Sequence, residues 1–398
     1  MRKQFKSVPH KAAEWVIFFM RKTIALLLTA VLALSLCACG GPSSAQAGGS
    51  SAPAAQSGGA DSSASDYEIT DLLGRSVRIP AETSGYACIG PGALRLYCYI
   101  ADDAQLVGVE EIERSGQDGR PYAMSIPDAA QQPLIGPGGP ANAPDAELLF
   151  AAGPDVIFTC YTADVSAVDE LQAKTGIPVV ALSYGAGRLF DQSVYDSLSL
   201  IGRITGNETR AAVVVDYFEE IKNDLTARTA GVAEKPSVYL GCQSSRGSHG
   251  IESTTGDYAI FDTLNAVNVV KEAGISGYAM LDKEKLLEMD PEVIVIDAGG
   301  LSLLQEDYDA DPEFYKALSA FKDGRVYLQM PFNYYTTNLE IALADAYYIG
   351  SVLYPEQFAD VDPAEKFDEL SAFFLGIDCY ERIAAQYYGG FQRVVLGG

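Results

Sequence analysis

Histidine and tryptophan are scarce in this 398-residue sequence, which contains two histidines and one tryptophan. A solute site for bare Zn²⁺ or Mn²⁺ normally needs several imidazoles. Because His10 lies near the N-terminus, only His249 is left for the folded part, and a site for these free ions is disfavoured. The sequence also lacks a Gly-x-Ser-x-Gly elbow, a His-Glu-x-x-His motif and a phosphate-binding loop. We therefore predict that the protein is not an enzyme.

The cysteines lack the spacing of a metal site or a disulfide framework. The sequence has seven cysteines and no Cys-x-x-Cys pair. Five of them lie beyond Cys39, an odd number, and buried free thiols are the favoured interpretation. A disulfide between Cys88 and Cys98 is the alternative.

Positive charge is also scarce, with 28 Lys and Arg against 53 Asp and Glu. Residues 1–38 carry a net charge of +5, so the rest of the chain is more acidic than the whole-chain value of −25. Nucleic-acid binding depends on Lys and Arg that neutralise phosphates, and the acidic balance argues against this function. The acidic balance also argues against peripheral binding to anionic lipid.

The N-terminal segment has the layout of a secretory signal. Met20-Arg21-Lys22 is basic, and residues 23–36 form an uncharged apolar run that is too short to span a bilayer comfortably. We predict a signal peptide over residues 1–38 whose true start is Met20. The following Leu-Cys-Ala-Cys resembles a bacterial lipobox, which implies cleavage before Cys39 and its diacylation. An uncleaved membrane anchor is the alternative.

The composition then changes twice along the chain. Residues 39–66 begin with the lipidated cysteine and continue as a Gly, Ser, Ala and Pro-rich tether without large apolar side chains. Residues 67–80 have the pattern of a β-hairpin. Strand-like residues 155–160, helix-like residues 163–174 and strand-like residues 177–182 follow, and this alternation predicts parallel α/β sheets.

A repeated junction predicts two similar lobes. Glu147-Leu-Leu leads into Pro154-Asp-Val-Ile, and Lys285-Leu-Leu leads into Asp290-Pro-Glu-Val-Ile. Between the halves, a helical pattern runs from an N-cap at Asn207 to about Ala227, with an apolar residue every fourth position. We predict an N-terminal lobe over 67–205, an interlobe helix over 206–230 and a C-terminal lobe over 231–398. The predicted apolar stripe is Val213, Tyr217, Ile221 and Leu225, and the predicted C-terminal helices, packed on the second sheet, are 339–353, 363–375 and 379–388.

Three segments carry a resemblance to a known family. Asp71–Pro80, Glu147–Ile157 and Ser197–Glu208 resemble, in order and spacing, the iron-complex (siderophore or haem) and cobalamin class of ABC-importer binding lipoproteins. The resemblance implies an α/β fold of two Rossmann-like lobes joined by a single long rigid helix, with the ligand in the cleft between them. It also implies a monomer without a cofactor, anchored by lipid outside the bacterial cell membrane, whose partners are a permease and an ATPase.

The resemblance extends to the substrate class. Residues 247–254 and 331–338 are similar to a subgroup described as iron-complex transporters, so we expect a ferric siderophore or haem to be captured and passed to the permease. A cobalamin or other corrinoid is the alternative ligand, and a sensor or adhesin without transport is the alternative function.

In parallel α/β sheets, ligands lie beyond the carboxyl ends of the strands. The loops there are rich in Gly, Tyr and Arg, which suit a flat metal chelate with carboxylate or catecholate oxygens. His249 is a possible axial ligand of haem or a corrinoid. The resemblance further implies one acidic residue per lobe for docking on the permease, and we assign Asp164 and Glu252. The candidate ligand-binding residues are Arg120, Tyr122, Tyr161, Tyr184, Arg246, His249, Asn333, Tyr334 and Tyr335.

Overall fold

Two α/β lobes and a long connecting helix form the part of the chain that the computed structural model describes, which confirms the predicted fold class. The predicted signal peptide, Cys39 and almost all of the tether lie outside the described residues. Within them, no helix combines the length and apolar character that crossing a bilayer requires. The described residues are 65–114, 119–126, 128–139, 142–185 and 189–397.

The secondary structure alternates as the sequence pattern predicts. The strands are β1 (Tyr67–Thr70), β2 (Ser76–Ile79), β3 (Tyr86–Ile89), β4 (Val156–Thr159), β5 (Val179–Ala181), β6 (Ser237–Gly241), β7 (Ser253–Thr255), β8 (Val267–Asn268), β9 (Tyr278–Met280), β10 (Val293–Asp297), β11 (Val326–Gln329) and β12 (Gln392–Arg393). The α-helices are α1 (Ala93–Ile100), α2 (Glu111–Arg114), α3 (Pro121–Met124), α4 (Ala146–Ala152), α5 (Val165–Thr175), α6 (Gln192–Thr205), α7 (Glu208–Thr229), α8 (Ala259–Thr263), α9 (Val269–Glu272), α10 (Lys283–Met289), α11 (Leu301–Ala310), α12 (Pro312–Ala317), α13 (Ser319–Lys322), α14 (Leu339–Leu353), α15 (Pro363–Leu375) and α16 (Tyr380–Gln386). Short 3₁₀ helices cover Asp103–Gln105, Ala129–Gln131 and Ala298–Gly300.

Each lobe is built on its own sheet. Lobe one, before α7, has the parallel order β3-β4-β5, and lobe two, after α7, has the order β12-β11-β10-β6-β8 with only β12 antiparallel. The strands β3, β4, β5 and β10 are buried along their whole length, as expected for parallel strands covered on both faces. The carboxyl ends of these strands are therefore the positions from which loops can reach a ligand.

The repeated junction occupies the same place in both lobes. The helices α4 and α10 end at left-handed residues, Gly153 and Asp290, and a central strand follows each. Asp155 Oδ2 accepts hydrogen bonds from the backbone N–H groups of Ser84 and Gly85, at 2.7 and 2.9 Å. Glu292 Oε2 accepts from Ser237 N at 2.8 Å. In each lobe, a carboxylate before the central strand thus binds the start of the neighbouring strand.

We expect the two junction carboxylates to contribute similarly to stability. Because each accepts backbone hydrogen bonds at a partly exposed site, Asp155→Ala and Glu292→Ala should each lower the free energy of unfolding by about 1 kcal/mol. Urea titration measures the change, and Asp196→Ala, at an exposed helix position, is the control that should stay close to wild type. A loss at only one of the two sites would contradict the equivalence of the junctions.

The interlobe helix α7 begins at the predicted N-cap but buries a different stripe. Asn207 is the N-cap residue, although its side chain does not cap the helix and instead donates to Thr205. Val213 is 46% exposed, so the predicted stripe with a constant step of four is wrong. Four residues advance the helix by 40° more than one full turn, and a buried stripe must therefore mix steps of three and four. The buried residues are Ala211, Val214, Phe218, Ile221, Leu225 and Thr229.

The C-terminal helices α14 and α15 have the predicted bounds, but α15 packs on more than the second lobe. Its Phe374 ring lies 5.0 Å from Tyr99 of α1 and 4.9 Å from Phe218 of α7. Arg210 of α7 donates to the carbonyl oxygens of Tyr99 and Phe373, at 2.9 and 2.6 Å. In addition to the predicted packing on the second lobe, α15 therefore contacts α1 of lobe one and the interlobe helix α7.

Candidate functional site

A segment of lobe two reaches into lobe one at the carboxyl ends of its strands. Residues Phe332–Asn338, which we call the interlobe strap, connect β11 to α14. The N–H of Asn338 donates to Phe332 O at 2.7 Å, which closes the strap into a tight loop. Tyr335 and Thr336 have φ of 52° and 64°. Left-handed backbone is costly for a β-branched residue, so the surrounding contacts must fix this shape.

Arg95 of α1 holds the strap from lobe one. Its side chain is fully buried, and Nη2 donates to the carbonyl oxygens of Tyr334 and Tyr335 at 3.0 and 3.3 Å. Nη1 donates to Tyr335 O and Tyr184 Oη, and Nε donates to Asn338 Oδ1 at 3.1 Å. All five of these hydrogen bonds end on neutral oxygens. The direct acceptors of this buried positive charge are thus neutral, while its field also opposes the rise that burial causes in the pKa of the Glu113 and Glu340 carboxyls. Anionic oxygens in place of the neutral acceptors would form stronger, charge-assisted hydrogen bonds.

Two arginines of lobe one pack against three tyrosine rings, one of which belongs to the strap. The Arg95 guanidinium lies 4.4 Å from the centre of the Tyr122 ring and 5.7 Å from that of Tyr184. Arg120 lies 5.9 Å from the Tyr122 ring and 5.0 Å from the Tyr334 ring. The sequence predicted four of these five residues as ligand contacts, and the structure brings them together around Arg95. Tyr334, 38% exposed, is the member through which the cluster reaches solvent.

Arg120 is a buried ion-pair partner in this structure. Its Nη1 lies 2.5 Å from Glu113 Oε2, and both side chains are excluded from solvent. Tyr122 Oη donates to both oxygens of Glu113 at 2.9 Å. Burial raises the pKa of Glu113, while the charge of Arg120 and the hydrogen bond from Tyr122 oppose that increase. Arg120 therefore has a carboxylate as a direct partner, whereas the hydrogen bonds of Arg95 end on neutral oxygens.

Other contacts join the strap and its flanks to lobe one. Tyr335 Oη donates to Glu110 Oε2 at 2.9 Å and accepts from Gly139 N at 3.0 Å. Tyr184 Oη donates to Thr337 O at 2.9 Å. Just beyond the strap, Tyr99 Oη donates to the buried Glu340 carboxylate. The lobe-one loop that contains Gly139 is therefore in contact with the strap.

The predicted lobe-two residues form a second, more exposed group. Asn333 Nδ2 donates to Ser244 O at 3.3 Å, and His249 Nε2 lies 2.8 Å from Ser245 O. A carbonyl oxygen can only accept, so Nε2 carries the proton and the lone pair of the neutral ring is on Nδ1. Arg246 is exposed with a φ of 56°. Arg246 and His249 lie on the loop that follows β6, and Asn333 of the strap contacts this loop at Ser244.

The described contacts of the three remaining predicted residues do not involve a member of either group. Tyr161 is partly buried, and its backbone lies beside Gly90, where an added Cβ would come within 2.5 Å of Tyr161 N. Asp164 is exposed and caps α5 by accepting from Ser166 N at 2.9 Å. Glu252 is partly buried, and its carbonyl oxygen accepts from Leu281 N at 2.9 Å.

The described residues hold no cluster of three or more His, Cys, Asp or Glu side chains that could bind a metal ion. Cys88 and Cys98 are free thiols, as are the other described cysteines, so the alternative disulfide does not form. Two surface depressions of about 500 and 510 Å³ lie away from the Arg95 cluster. One is lined by Phe190, Lys222, Thr226, Ala230, Asp262, Thr263 and Asn265, and the other by Tyr67, Ala81, Glu82, Thr83, Arg203, Ile204, Thr205, Gly206 and Glu208.

The sequence analysis missed Arg95, Glu110 and Glu113. Arg95 had a detectable signal, because its helix reads Ala-Leu-Arg-Leu-Tyr-Cys-Tyr-Ile and is apolar on all sides. Such a helix is buried all round, and its single charge must then be buried too. The two glutamates gave no signal, because their burial depends on segments distant in sequence.

A comparison with known proteins matches the sequence of this chain to a family. The profile described as periplasmic binding protein matches residues 95–331, and no curated protein matches the sequence significantly. Among solved structures, the molybdate-bound periplasmic protein of a Haemophilus influenzae ABC transporter is 22% identical, with a TM-score of 0.60 over 79% of this chain and 99% of that chain. A TroA-like binding protein from Veillonella parvula is 22% identical, with a TM-score of 0.61 over 78% and 97%. A haem-binding protein from Vibrio cholerae is 20% identical, with a TM-score of 0.51 over 68% and 98%.

Proposed function

Because the chain belongs to the periplasmic binding protein family, we propose that it is the solute-binding component of an ABC importer and works outside the cell membrane. Solved structures with the same fold include a binding protein of an ABC transporter. The signal-like N-terminus and the lipobox-like sequence before Cys39 support attachment to the membrane by lipid. Labelled palmitate should enter the wild-type protein in a bacterial host, and Cys39→Ser should abolish the labelling.

The ligand that best fits the cleft is an anionic, oxygen-rich metal chelate, such as a ferric siderophore or haem. The observation that carries this proposal is the buried guanidinium of Arg95, whose hydrogen bonds all end on neutral oxygens. Carboxylate or catecholate oxygens of a ligand would replace the strap carbonyls and form charge-assisted hydrogen bonds with the guanidinium. The rings of Tyr122, Tyr184 and Tyr334 supply flat faces for a chelate.

The free lone pair of His249 bears on the choice between ligands. With Nε2 bound to Ser245 O, Nδ1 is the nitrogen that can ligate a metal. Haem would use this ligand at an axial position, whereas a hexadentate ferric siderophore already fills the coordination sphere of its iron. A corrinoid, the alternative from the sequence, would use the same nitrogen.

Thermal unfolding against a ligand panel tests the proposed function. The panel contains ferric siderophores of different charge, haem, cobalamin and free metal ions. A ligand that binds only the folded state at 100 times its Kd adds about 2.7 kcal/mol of stability, and its midpoint shift should be readily visible. We expect a shift with an anionic chelate and none with free ions. A shift with cobalamin alone would overturn the assigned substrate class, and no shift with any member would contradict a transport role.

Asp164 and Glu252 are the proposed contacts with the permease. Asp164→Asn removes the charge but keeps an acceptor for Ser166 N, so α5 retains its cap. We expect Asp164→Asn combined with Glu252→Gln to reduce uptake about tenfold or more while ligand affinity stays unchanged. Exposed Glu170→Gln with Glu284→Gln is the matched control for two lost charges. Uptake equal to that of the control would remove these residues from the docking surface.

A further inference from the structure

One buried carboxylate joins three separate segments at the base of the cleft. Glu110 is 5% exposed, and its Oε2 accepts hydrogen bonds from Gly90 N at 3.0 Å and from Tyr335 Oη at 2.9 Å. Tyr335 Oη accepts from Gly139 N at 3.0 Å. Gly90 and Gly139 belong to two glycine loops of lobe one, whereas Tyr335 belongs to the interlobe strap of lobe two. Glu110 is therefore the point at which both loops meet the strap.

The hydrogen-bond donors to this carboxylate are neutral groups. Its two hydrogen bonds come from an amide and a hydroxyl, and the nearby Glu113 is already paired with Arg120. Burial raises the pKa of the Cys88 thiol and of the Tyr335 hydroxyl well above their ordinary values, so both remain uncharged at moderate pH. Burial also raises the pKa of Glu110 to about 7, although the hydrogen bonds from Tyr335 and Gly90 oppose the increase.

We propose that Glu110 is a proton-sensitive positioning residue that holds the interlobe strap against lobe one when it is protonated and loosens it when it is ionised. The protonated acid keeps Oε2 as a carbonyl acceptor for both donors and carries its proton on Oε1. The ionised carboxylate is more stable in contact with water than in a buried site. Water can reach it only when the strap moves away. A role in ligand release rests on the proposed transport function, whereas the effect on the strap does not.

The direction of the pH effect follows from the two states. A group whose pKa is higher in the closed state than in the open state stabilises the closed state at low pH. The ordinary pKa is 4.5 and the closed value is about 7. The stabilisation is therefore complete below about pH 4.5 and is lost as pH rises through about 7. Between pH 5.5 and 8.5, the fraction of molecules with an open strap should rise about tenfold or more.

Amide hydrogen exchange of the ligand-free full chain measures this opening. Exchange rates in the strap are divided by those of an unstructured peptide of the same sequence, which removes the intrinsic pH dependence. We expect the corrected strap rate to rise about tenfold or more from pH 5.5 to 8.5 in the wild type. Glu110→Gln should give a slow rate at both pH values, because the amide keeps a neutral acceptor.

Two controls separate this result from general loosening. Exchange in the interlobe helix α7 should not change with pH after the same correction. Tyr335→Phe lacks the hydroxyl that links the strap to Glu110, and it should give a fast strap rate at both pH values. A corrected wild-type rate that is flat with pH, or an unchanged pH dependence in Glu110→Gln, would overturn the proposal. The thermal-shift experiment with the ligand panel does not depend on this exchange experiment. The proposed transport function and the proposed role of Glu110 can therefore be contradicted separately.

Discussion

Replacing Glu113 with glutamine is expected to lower the free energy of unfolding by about 3–5 kcal/mol, because it removes the buried carboxylate that pairs with the guanidinium of Arg120. The two side chains are almost completely excluded from solvent and lie 2.5 Å apart at their closest atoms. Arginine cannot lose its proton at ordinary pH to avoid the cost. Urea titration at neutral pH, where the glutamate of the wild type is paired, measures the loss.

The partner substitution provides the matched control. Arg120→Met leaves Glu113 unpaired, but a carboxylate can take up a proton and become neutral. Arg120→Met should therefore destabilise the protein less at pH 5 than Glu113→Gln does. The double variant should recover part of the loss, because both charges of the buried pair are removed together. Glu113→Gln with nearly wild-type stability would show that solvent reaches this pair.

Replacing Arg95 with methionine is expected to weaken binding of the anionic chelate about 100-fold. A hydrogen bond to a charged group contributes about 1.5–3 kcal/mol, and each 1.4 kcal/mol is a factor of ten in affinity. Isothermal titration with the chelate that gives the largest thermal shift measures the change. Arg95→Lys keeps the charge but loses the planar fork, so we expect an intermediate affinity.

Two comparisons show whether the loss is specific to Arg95. Arg246→Met removes a charge from an exposed loop of lobe two and should cost less than about tenfold in affinity, because solvent screens an exposed charge. A neutral chelate of similar shape should bind Arg95→Met and the wild type with similar affinity. Equal affinity of Arg95→Met and the wild type for the anionic chelate would exclude Arg95 from the ligand site.

Local signals in the sequence were enough to predict the elements of this fold. The helices α14 and α15 have the bounds that the sequence predicted, and Pro363 stands at the first position of α15, where proline is favoured. The β1–β2 hairpin follows from two short strand patterns around Gly74, whose φ is 77°. The alternation of strands and helices then predicted parallel sheets, because each crossover helix must cover a sheet face.

Contacts between distant segments account for what the sequence analysis missed at the site. Tyr335 was predicted to touch ligand, but its hydroxyl bonds to Glu110, 225 positions away. Arg120 was predicted as a cleft charge, and its burial depends on Glu113 and on the Tyr334 ring of the other lobe. The residue pattern within a single helix or strand cannot predict contacts between distant segments, because each of these residues looks like an ordinary loop or surface residue in its own segment.

A crystal structure with the chelate selected by the ligand panel tests the central claim most directly. We predict that anionic oxygens of the chelate lie 2.7–3.2 Å from the Arg95 guanidinium, with the carbonyl oxygens of Tyr334 and Tyr335 moved away from it. A chelate bound instead in the depression beside Phe190 and Lys222, with the five hydrogen bonds of Arg95 intact, would contradict the proposed cleft site.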